Sequence, residues 1–555
     1  MRSPHRPQPY RVAEQSIIWL DATTGYGVTW DGRRIAPVIR GRRKHPALVD
    51  WLDTAQAAGA TRVMLTGKLP EVEPGRPHWL AAETPGWRHG AHWLDSPPTG
   101  RYYHEATTAP GDPKARPVEV ATAAAWFGNA RLGIHQAAEA WRLVTAALQR
   151  VEPKLTALMK SPAATGQNLW ALSMPEGLDP VPVDDDIAAE IHATSGQHHI
   201  EQLVAGPGFY EHPDCVPLID PAVTGPDIPG FAYVDGRFMY AGLCNELAVG
   251  PARRLTGEQA AGMFDQSPYA PARYRVRFQV PEGWTSLGIW GVQAEDGRSW
   301  YYPNRPGATA ETWVDAAELR VGAAHGWRFR FVEAVEFTAT KPAVRGEKRA
   351  VAARPLDTFA ERLTGAREAV ESAQVAPVIR DAARAALRAI LLQTIGTFAS
   401  RGRSSTVTVA TMNDVPAECM GSVRKAAGGR FTYVAPPRMT ERQRAFYHPE
   451  LAAQVWGRAR ARVLDGTKRE PAGALHVDPA HLLGINGDAI YTTTVPRWAL
   501  PTEQGGFDNG KAGRLRVQGY LPGPLPVPTT RAARDVLMHR AEAVGFHGET
   551  GSGHE

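Results

Sequence analysis

The sequence predicts a mixed fold, an α/β domain first and a larger α+β region after it. Three observations carry that expectation. Residues 15–67 read as strand, strand, helix and strand; residues 118–155 are alanine-rich with apolar side chains at helical spacing; beyond residue 206, alternating runs and turn dipeptides take over, broken by two long helical stretches. The chain has 555 residues, room for about three to five domains. With 43% hydrophobic and 21% charged residues, and 16 Trp, 15 Tyr and 15 Phe, it has the composition of a folded protein and not of a disordered or fibrous one. The formal net charge of +5 admits a polyanionic partner without demanding one. Cys215, Cys244 and Cys419 supply neither a disulfide framework nor a thiol-rich zinc site, which points to a reducing cytoplasm. The basic N-terminus lacks a signal peptide's apolar run, and no stretch approaches the roughly 18 apolar residues of a membrane span, so neither secretion nor a membrane partner is expected.

Taken in order, IIWLDATTGYGVTWDG gives the strand pair, HPALVDWLDTAQAAG the helix and ATRVMLTG the next strand. From Val118 to Leu155 the spacing predicts a helical connector, and a Pro/Gly-rich passage near Gly206–Gly230 separates it from the strand-rich region beyond. RYRVRFQV at 273–280 alternates basic and apolar residues, a strand whose basic face either meets phosphates or is plain surface. Asp296-Gly297 between two apolar runs predicts a hairpin, ETWVDAAELRVGAAHGW a short helix with a glycine stop, and RFRFVEAVEF another strand. In the helical stretch 359–400, Arg380, Arg384 and Arg388 recur every four residues and share one face. That basic ridge either meets an anion or keeps an amphipathic helix soluble. PELAAQVWGRARARVL at 449–464 is the second long helix, opened by a proline suited to the first turn. HLLGINGDAIYTTTV predicts two short strands around Asn486-Gly487, and the tail from residue 521 is Pro-rich before one last helix, RAARDVLMHRAEAV. No internal repeat is present.

Two-metal phosphoryl transfer needs carboxylates converging on ions about 3.5–4 Å apart. Asp235 in GFAYVDGRFMYAGL, delivered by an apolar strand to a loop that opens a helix, and Asp488 in the tight turn INGDAIY fit that role. Asp21 ends the run Ile17–Leu20, where many ribonuclease-H-like nucleases hold a metal. Taken singly, each of the three also reads as an ordinary turn residue. His198-His199 reads as a surface pair, Asp184-Asp185-Asp186 as a helix start favoured by the macrodipole, and most tryptophans as core.

These motifs, in this order, resemble the palm of family B DNA polymerases, particularly the small protein-primed phage and plasmid branch, over residues 205–520. The first palm motif of that family, an Asp followed five residues later by Tyr, is matched by Asp235 and Tyr240; its finger helix has a basic residue eight positions before a glycine, as Arg388 stands before Gly396; its last motif is matched by Asn486-Gly-Asp488-Ala-Ile490. The resemblance implies a ribonuclease-H-like exonuclease-type domain (1–117), a helical connector (118–205), a palm in two parts (206–358 and 404–520) around helical fingers (359–403), and a C-terminal tail (521–555). It implies further that Asp235 and Asp488 bind Mg²⁺ or Mn²⁺ and are catalytic, that Tyr240 lies beneath the incoming sugar, and that Arg388, with Arg384 and Arg380, neutralises a deoxynucleoside triphosphate. The implied partners are a DNA primer-template and a terminal or priming protein. Departures from the pattern are Asn486 for the first Asp of the last motif, Leu392 and Ile395 where the finger helix carries Asn and Tyr, and Asp21-Ala22-Thr23 for the proofreading Asp-x-Glu. The stretch after Asp488 is short for a thumb, and Lys511 is a poor match to the primer-gripping lysine. Two functions are therefore carried forward: a polymerase, and a catalytically inactive scaffold that keeps the polymerase shape to hold nucleic acid.

Overall fold

Two large sheets organise the chain in the computed structural model. It describes residues 5–10 and 16–546, apart from 43, 73–77, 96, 108–115, 129–130, 197–200, 207–210, 339, 342–350, 353 and 467–468, so His198-His199 lies outside the described residues. The chain divides into two compact units: a smaller one of Pro7–Met174 and Glu361–Tyr447, and a larger one of Met1–Arg6, Pro175–Ala360 and His448–Glu555.

The smaller unit is built on a ten-stranded mixed sheet. Ile17–Asp21 pairs antiparallel with Gly27–Thr29 and parallel with Arg62–Thr66, and helix Leu48–Ala57 makes the crossover, as the opening residues predict. These strands are continuous apolar runs because both faces are covered: Ile18, Trp19, Leu20, Val63 and Met64 are all fully buried. Val118–Thr122, expected as the start of a helix, is instead a fully buried strand between Arg62–Thr66 and Thr99–His104. The alternating β-branched Val118 and Val120 decide it, and the long helix begins only at Ile134–Val151. A second correction concerns residues expected in the second part of the palm. Ser405–Val409, Phe431–Ala435 and Arg424–Lys425 extend this same sheet, with Thr406 and Val407 opposite His92 and Ala91 of Trp87–Trp93. A pairing between segments so distant in sequence leaves no local signature.

The larger unit holds a five-stranded antiparallel sheet, in the order Arg514–Pro526, Asp227–Arg237, Ala489–Thr492, Leu482–Asn486 and Gln202–Leu203. Phe231, Tyr233, Ala489 and Tyr491 share one face, and the C-terminal helix Arg531–Val544 packs Leu537 and Ala541 onto them. A four-stranded sheet accompanies it, in the order Ala252–Thr256, Arg328–Phe337, Ala272–Gln279 and Thr309–Asp315. Thr309–Asp315 is a strand where a helix is expected; the helix is Ala316–Ala324, started by a capping box in which Asp315 accepts from the Ala317 amide at 2.9 Å and the Asp315 amide donates to Glu318 at 3.0 Å. The basic face of Ala272–Gln279 is partly exposed surface on which the arginines pair with glutamates. Arg275 pairs with Glu311 at 2.7 Å and Glu333 at 3.1 Å, and Arg277 with Glu311 at 2.7 Å, so cross-strand neighbours neutralise it. Asp185 begins a helix, Asp185–Thr194, and Asp186 pairs with Arg254 at 2.8 Å. The hairpin at Asp296-Gly297 is present, with the Asp296 carboxylate accepting from the Arg298 and Ser299 amides at 2.8 and 2.7 Å. Trp19, Trp51, Trp126, Trp170 and Trp290 are core residues. Among the described residues no helix is long and apolar enough to cross a membrane.

Candidate active site

The carboxylates gather at one end of the five-stranded sheet, where Asp227–Arg237 meets the 482–492 hairpin. Asp235 stands opposite Ala489 in the antiparallel register, and the next amide along, that of Gly236, donates to the Asp488 carbonyl at 3.1 Å. Asp235, on Asp227–Arg237, and Asp488, in the loop just before Ala489, are therefore neighbours offset by one residue, with Asp488 lying against Gly236. The turn sits one position later than Asn486-Gly487 suggests: Asn486 pairs with Ala489, and Gly487 and Asp488 form the loop. Gly487 has φ +59°, which a glycine at the first loop position accommodates.

Asp235 is 3% exposed, and its Oδ2 accepts from the Gln518 side-chain Nε2 at 3.3 Å. A bulge in Arg514–Pro526 between Val517 and Gly519 locally re-aims the strand at Gln518. Asn486 donates to the Tyr491 phenol oxygen, and the phenol in turn donates to the Met538 sulfur at 3.6 Å. Burial pushes the Tyr491 phenol well above its ordinary value, so it keeps its proton. Gly236 is a residue that sequence reading missed. A Cβ there would stand 2.7 Å from Met239 Cβ and 2.9 Å from Asp488 Oδ2, so its lack of a side chain makes room for the Asp488 carboxylate. Arg237 forms a fork with the buried Asp508, at 3.1 and 2.6 Å, and pins the strand end. Phe238 then turns the chain into helix Met239–Leu243 with φ +46° and ψ +44°, a left-handed conformation that costs a non-glycine residue about 1–2 kcal/mol. Tyr240 lies on that helix, 9% exposed, its carbonyl accepting from Cys244 Sγ at 3.0 Å. Lys511 is exposed, just ahead of Arg514–Pro526.

The remaining candidates lie in the smaller unit. Asp21 caps its own turn: Oδ1 accepts from the Thr23 amide at 3.0 Å, the Thr24 amide at 2.8 Å and the Thr24 hydroxyl at 3.1 Å. On helix Pro377–Phe398 the three arginines differ. Arg380 donates to the Ala373 carbonyl at 3.0 Å and the Val375 carbonyl at 3.4 Å, closing the loop before its own helix. Arg384 pairs with Glu371 and, at 2.7 Å, with Asp381, and its hydrogen bond to Glu371 raises its pKa further. Arg388 is exposed, and Ile395 is fully buried in the core, presenting no surface on which a base could stack.

Two carboxylates offer only hard oxygen donors, which suits Mg²⁺ or Mn²⁺ and not zinc. Among the described residues no group of three or more His, Cys, Asp or Glu is placed to hold a metal, so phosphate and water oxygens would complete the shell.

With this geometry in view, solved structures offer a comparison. The complex of Phi29 DNA polymerase with primer-template DNA matches 91% of this chain and 84% of its own, with a TM-score of 0.50 at 10% identity. The fold is similar to that of Phi29 DNA polymerase. Its orthorhombic crystal form and its ternary complex with incoming nucleotide match with TM-scores of 0.49 and 0.48 at 9% and 10% identity. No family model matches the chain, and no curated protein matches it. The likeness extends over both units, in agreement with the mixed α/β and α+β architecture expected from sequence.

Proposed function

We propose that the chain is a DNA polymerase-like protein of the protein-primed family B type, which extends a primed DNA template by nucleotidyl transfer in a phage or plasmid setting. The observation that carries this is the placement of Asp235, near the end of Asp227–Arg237, beside the loop that carries Asp488, at one end of the sheet. In this reading the two carboxylates hold Mg²⁺ or Mn²⁺. When bound, the metal would acidify the primer 3′ hydroxyl and neutralise charge on the triphosphate. Gln518 fixes the rotamer of Asp235, and Gly236 leaves room for Asp488. Tyr240 supports the incoming sugar. The finger arginines Arg388, Arg384 and Arg380 would neutralise triphosphate charge, Arg380 and Arg384 also holding the helix and its preceding loop. The primer 3′ oxygen attacks the α-phosphorus and pyrophosphate leaves. A degenerate nuclease accompanies the palm, with Asp21 used as a turn cap and Thr23 in place of the second acid.

A second reading, a non-catalytic scaffold that holds nucleic acid, is favoured by two features. Helix Arg531–Val544 lies on the sheet face that Asp235 shares with Tyr233, and Asn486 is engaged with Tyr491. Primer extension with Mg²⁺ or Mn²⁺ distinguishes the readings when wild type is run beside Asp235→Asn and Asp488→Asn, with DNA binding measured on the same samples. Extension by wild type alone supports the polymerase. Retained binding by all three proteins with no extension supports the scaffold.

A further inference from the structure

A second surface, in the smaller unit, has features that the palm reading does not use. Between residues 22 and 46 the sequence carries six Arg or Lys against a single acid, Asp31. The same stretch exposes large apolar groups where a sheet edge would ordinarily be polar: Tyr26 is 60% exposed, Trp30 55%, Val38 39% and Ile39 36%. Tyr26 precedes strand Gly27–Thr29 and Trp30 follows it, so the two rings flank one short strand, with about 13 Å of extended backbone between them. Arg34–Ile35 is one edge strand of the ten-stranded sheet, paired among the described residues only to Gly27–Thr29, and Arg33, Arg34, Arg42 and Lys44 are exposed around it.

This surface is fixed in place. The Val38 amide donates to Thr54 Oγ1 at 2.9 Å and the Arg40 amide to Asp50 Oδ1 at 2.8 Å, tying the loop to helix Leu48–Ala57. The Arg40 guanidinium is taken by Asp53 and, at 2.8 Å, by the Pro85 carbonyl, so it serves as an anchor. A Cβ on Gly25 would stand 2.9 Å from Pro37 and 3.4 Å from Pro46, which puts both ends of that loop against the turn that presents Tyr26. The Thr29 hydroxyl donates to Asp31 at the hairpin tip and holds its pKa down, so Asp31 stays a carboxylate that offsets one of the surrounding cations and leaves the rest in excess.

Exposed rings on a preorganised cationic surface match the chemistry of an unpaired nucleic-acid strand: bases stack on the aromatics while the phosphates lie along the cations. A duplex keeps its bases stacked internally and offers only the phosphates. We propose that the edge formed by Tyr26, Trp30, Arg33, Arg34, Arg42 and Lys44 is a binding site for single-stranded nucleic acid, separate from the palm carboxylates. The spacing of the rings suits a segment of two or three nucleotides. The inference stands whether or not the palm polymerises.

The test is fluorescence anisotropy on the full chain with labelled oligo-dT, oligo-rU and duplex DNA of about 20 units each, at about 50 and 200 mM salt. Both rings are exposed, so Tyr26→Ala/Trp30→Ala folds as wild type does; a melt confirms it. The double variant is expected to lose about tenfold or more in affinity for single strands while duplex affinity stays unchanged. Trp30→Phe, which restores a stacking face, is expected to recover most of the loss. Arg33→Ala/Arg34→Ala is expected to lower the slope of log affinity on log salt by about 0.7 per arginine. The same losses in an Asp235→Asn/Asp488→Asn background separate this site from the palm, and the dT and rU arms tell DNA from RNA. Single-strand affinity equal to wild type in the aromatic double variant, or an equal loss for duplex, overturns the proposal.

Discussion

Gly236→Ala is the sharpest probe of the palm. The added methyl carbon would stand 2.7 Å from both Cβ and Cε of Met239 and 2.9 Å from Asp488 Oδ2. Carbon pairs are at their optimum near 3.5–4.0 Å, so relief demands movement of about 0.5–1 Å from some combination of strand, helix and carboxylate. Met239 Cε can swing away, but its Cβ is fixed to helix Met239–Leu243, and the strand is pinned by the Arg237–Asp508 fork. The Asp488 carboxylate turns aside to relieve its own contact, and the Met239 Cβ contact is relieved only by a shift of strand against helix that displaces the site further. Overpacking of this kind costs about 1–3 kcal/mol, and an error of about 1 Å in a reacting group costs about 100-fold in rate. We expect a melting temperature lowered by several degrees and primer extension reduced roughly a hundredfold, with DNA binding unchanged. Gly396→Ala is the control: a Cβ there meets nothing within 4 Å, and the change gains about 0.5–1 kcal/mol of helix propensity. Calorimetry and steady-state extension read both variants. If Gly236→Ala melts and extends as wild type does, Asp488 does not lie against Gly236 and the arrangement of the two carboxylates is wrong.

Three further predictions concern stability. Glu201 is 1% and Arg534 2% exposed, joined at 2.6 Å, with Arg534 also 4.8 Å above the Tyr491 ring. Glu201→Leu should cost about 3 kcal/mol in urea unfolding by removing the buried partner of that guanidinium and leaving it the half-exposed Asp535, and Glu201→Leu/Arg534→Leu should recover most of it; a single variant within about 1 kcal/mol of wild type contradicts the pairing. Burial holds His89 and His92 well below their ordinary value, at about 3 and about 4, so both are neutral in the fold and protonate freely when unfolded near pH 6.5. Stability of the smaller unit should be level above that pH and fall as pH drops towards 4, by about 2 kcal/mol per histidine at pH 5. His89→Gln/His92→Gln should flatten the profile, and an unchanged slope would falsify the assignment. Finally, Asp21→Ala should cost about 1 kcal/mol through the lost turn cap, and wild type should degrade no 3′ end even with Mn²⁺; metal-dependent degradation by wild type that Asp21→Ala abolishes would restore the nuclease reading.

Much of the architecture was legible because it is written in local periodicity. The opening strands and helix, the hairpins at Asp296-Gly297 and around Asp488, and the long helices Pro377–Phe398 and Pro449–Leu464 follow from side-chain spacing and turn chemistry that neighbouring residues settle among themselves. Local reading failed where two signals met in one window. The alanines after Thr122 outweighed the β-branched pattern of Val118–Thr122, and Ala316–Ala324 lent its helical spacing to Thr309–Asp315. Charge was left open for a related reason: the arginines of Ala272–Gln279 form a basic face in sequence, and only the fold shows Glu311 and Glu333 reaching them from other strands.

By itself the sequence determined which residue types are available for chemistry, Asp235, Asp488, Tyr240 and Arg388 among them, and the short-range elements that carry them. Only tertiary structure decided their setting. The offset that brings Asp235 beside Asp488, the bulge at Gln518, the room left by Gly236, and the strands at 405–435 joining a sheet begun at Ile17 all depend on pairings between distant segments. Side-chain spacing shows which face of a strand seeks burial, but the partner and register are fixed by the packing of the whole sheet, and one residue of slip exchanges the two faces.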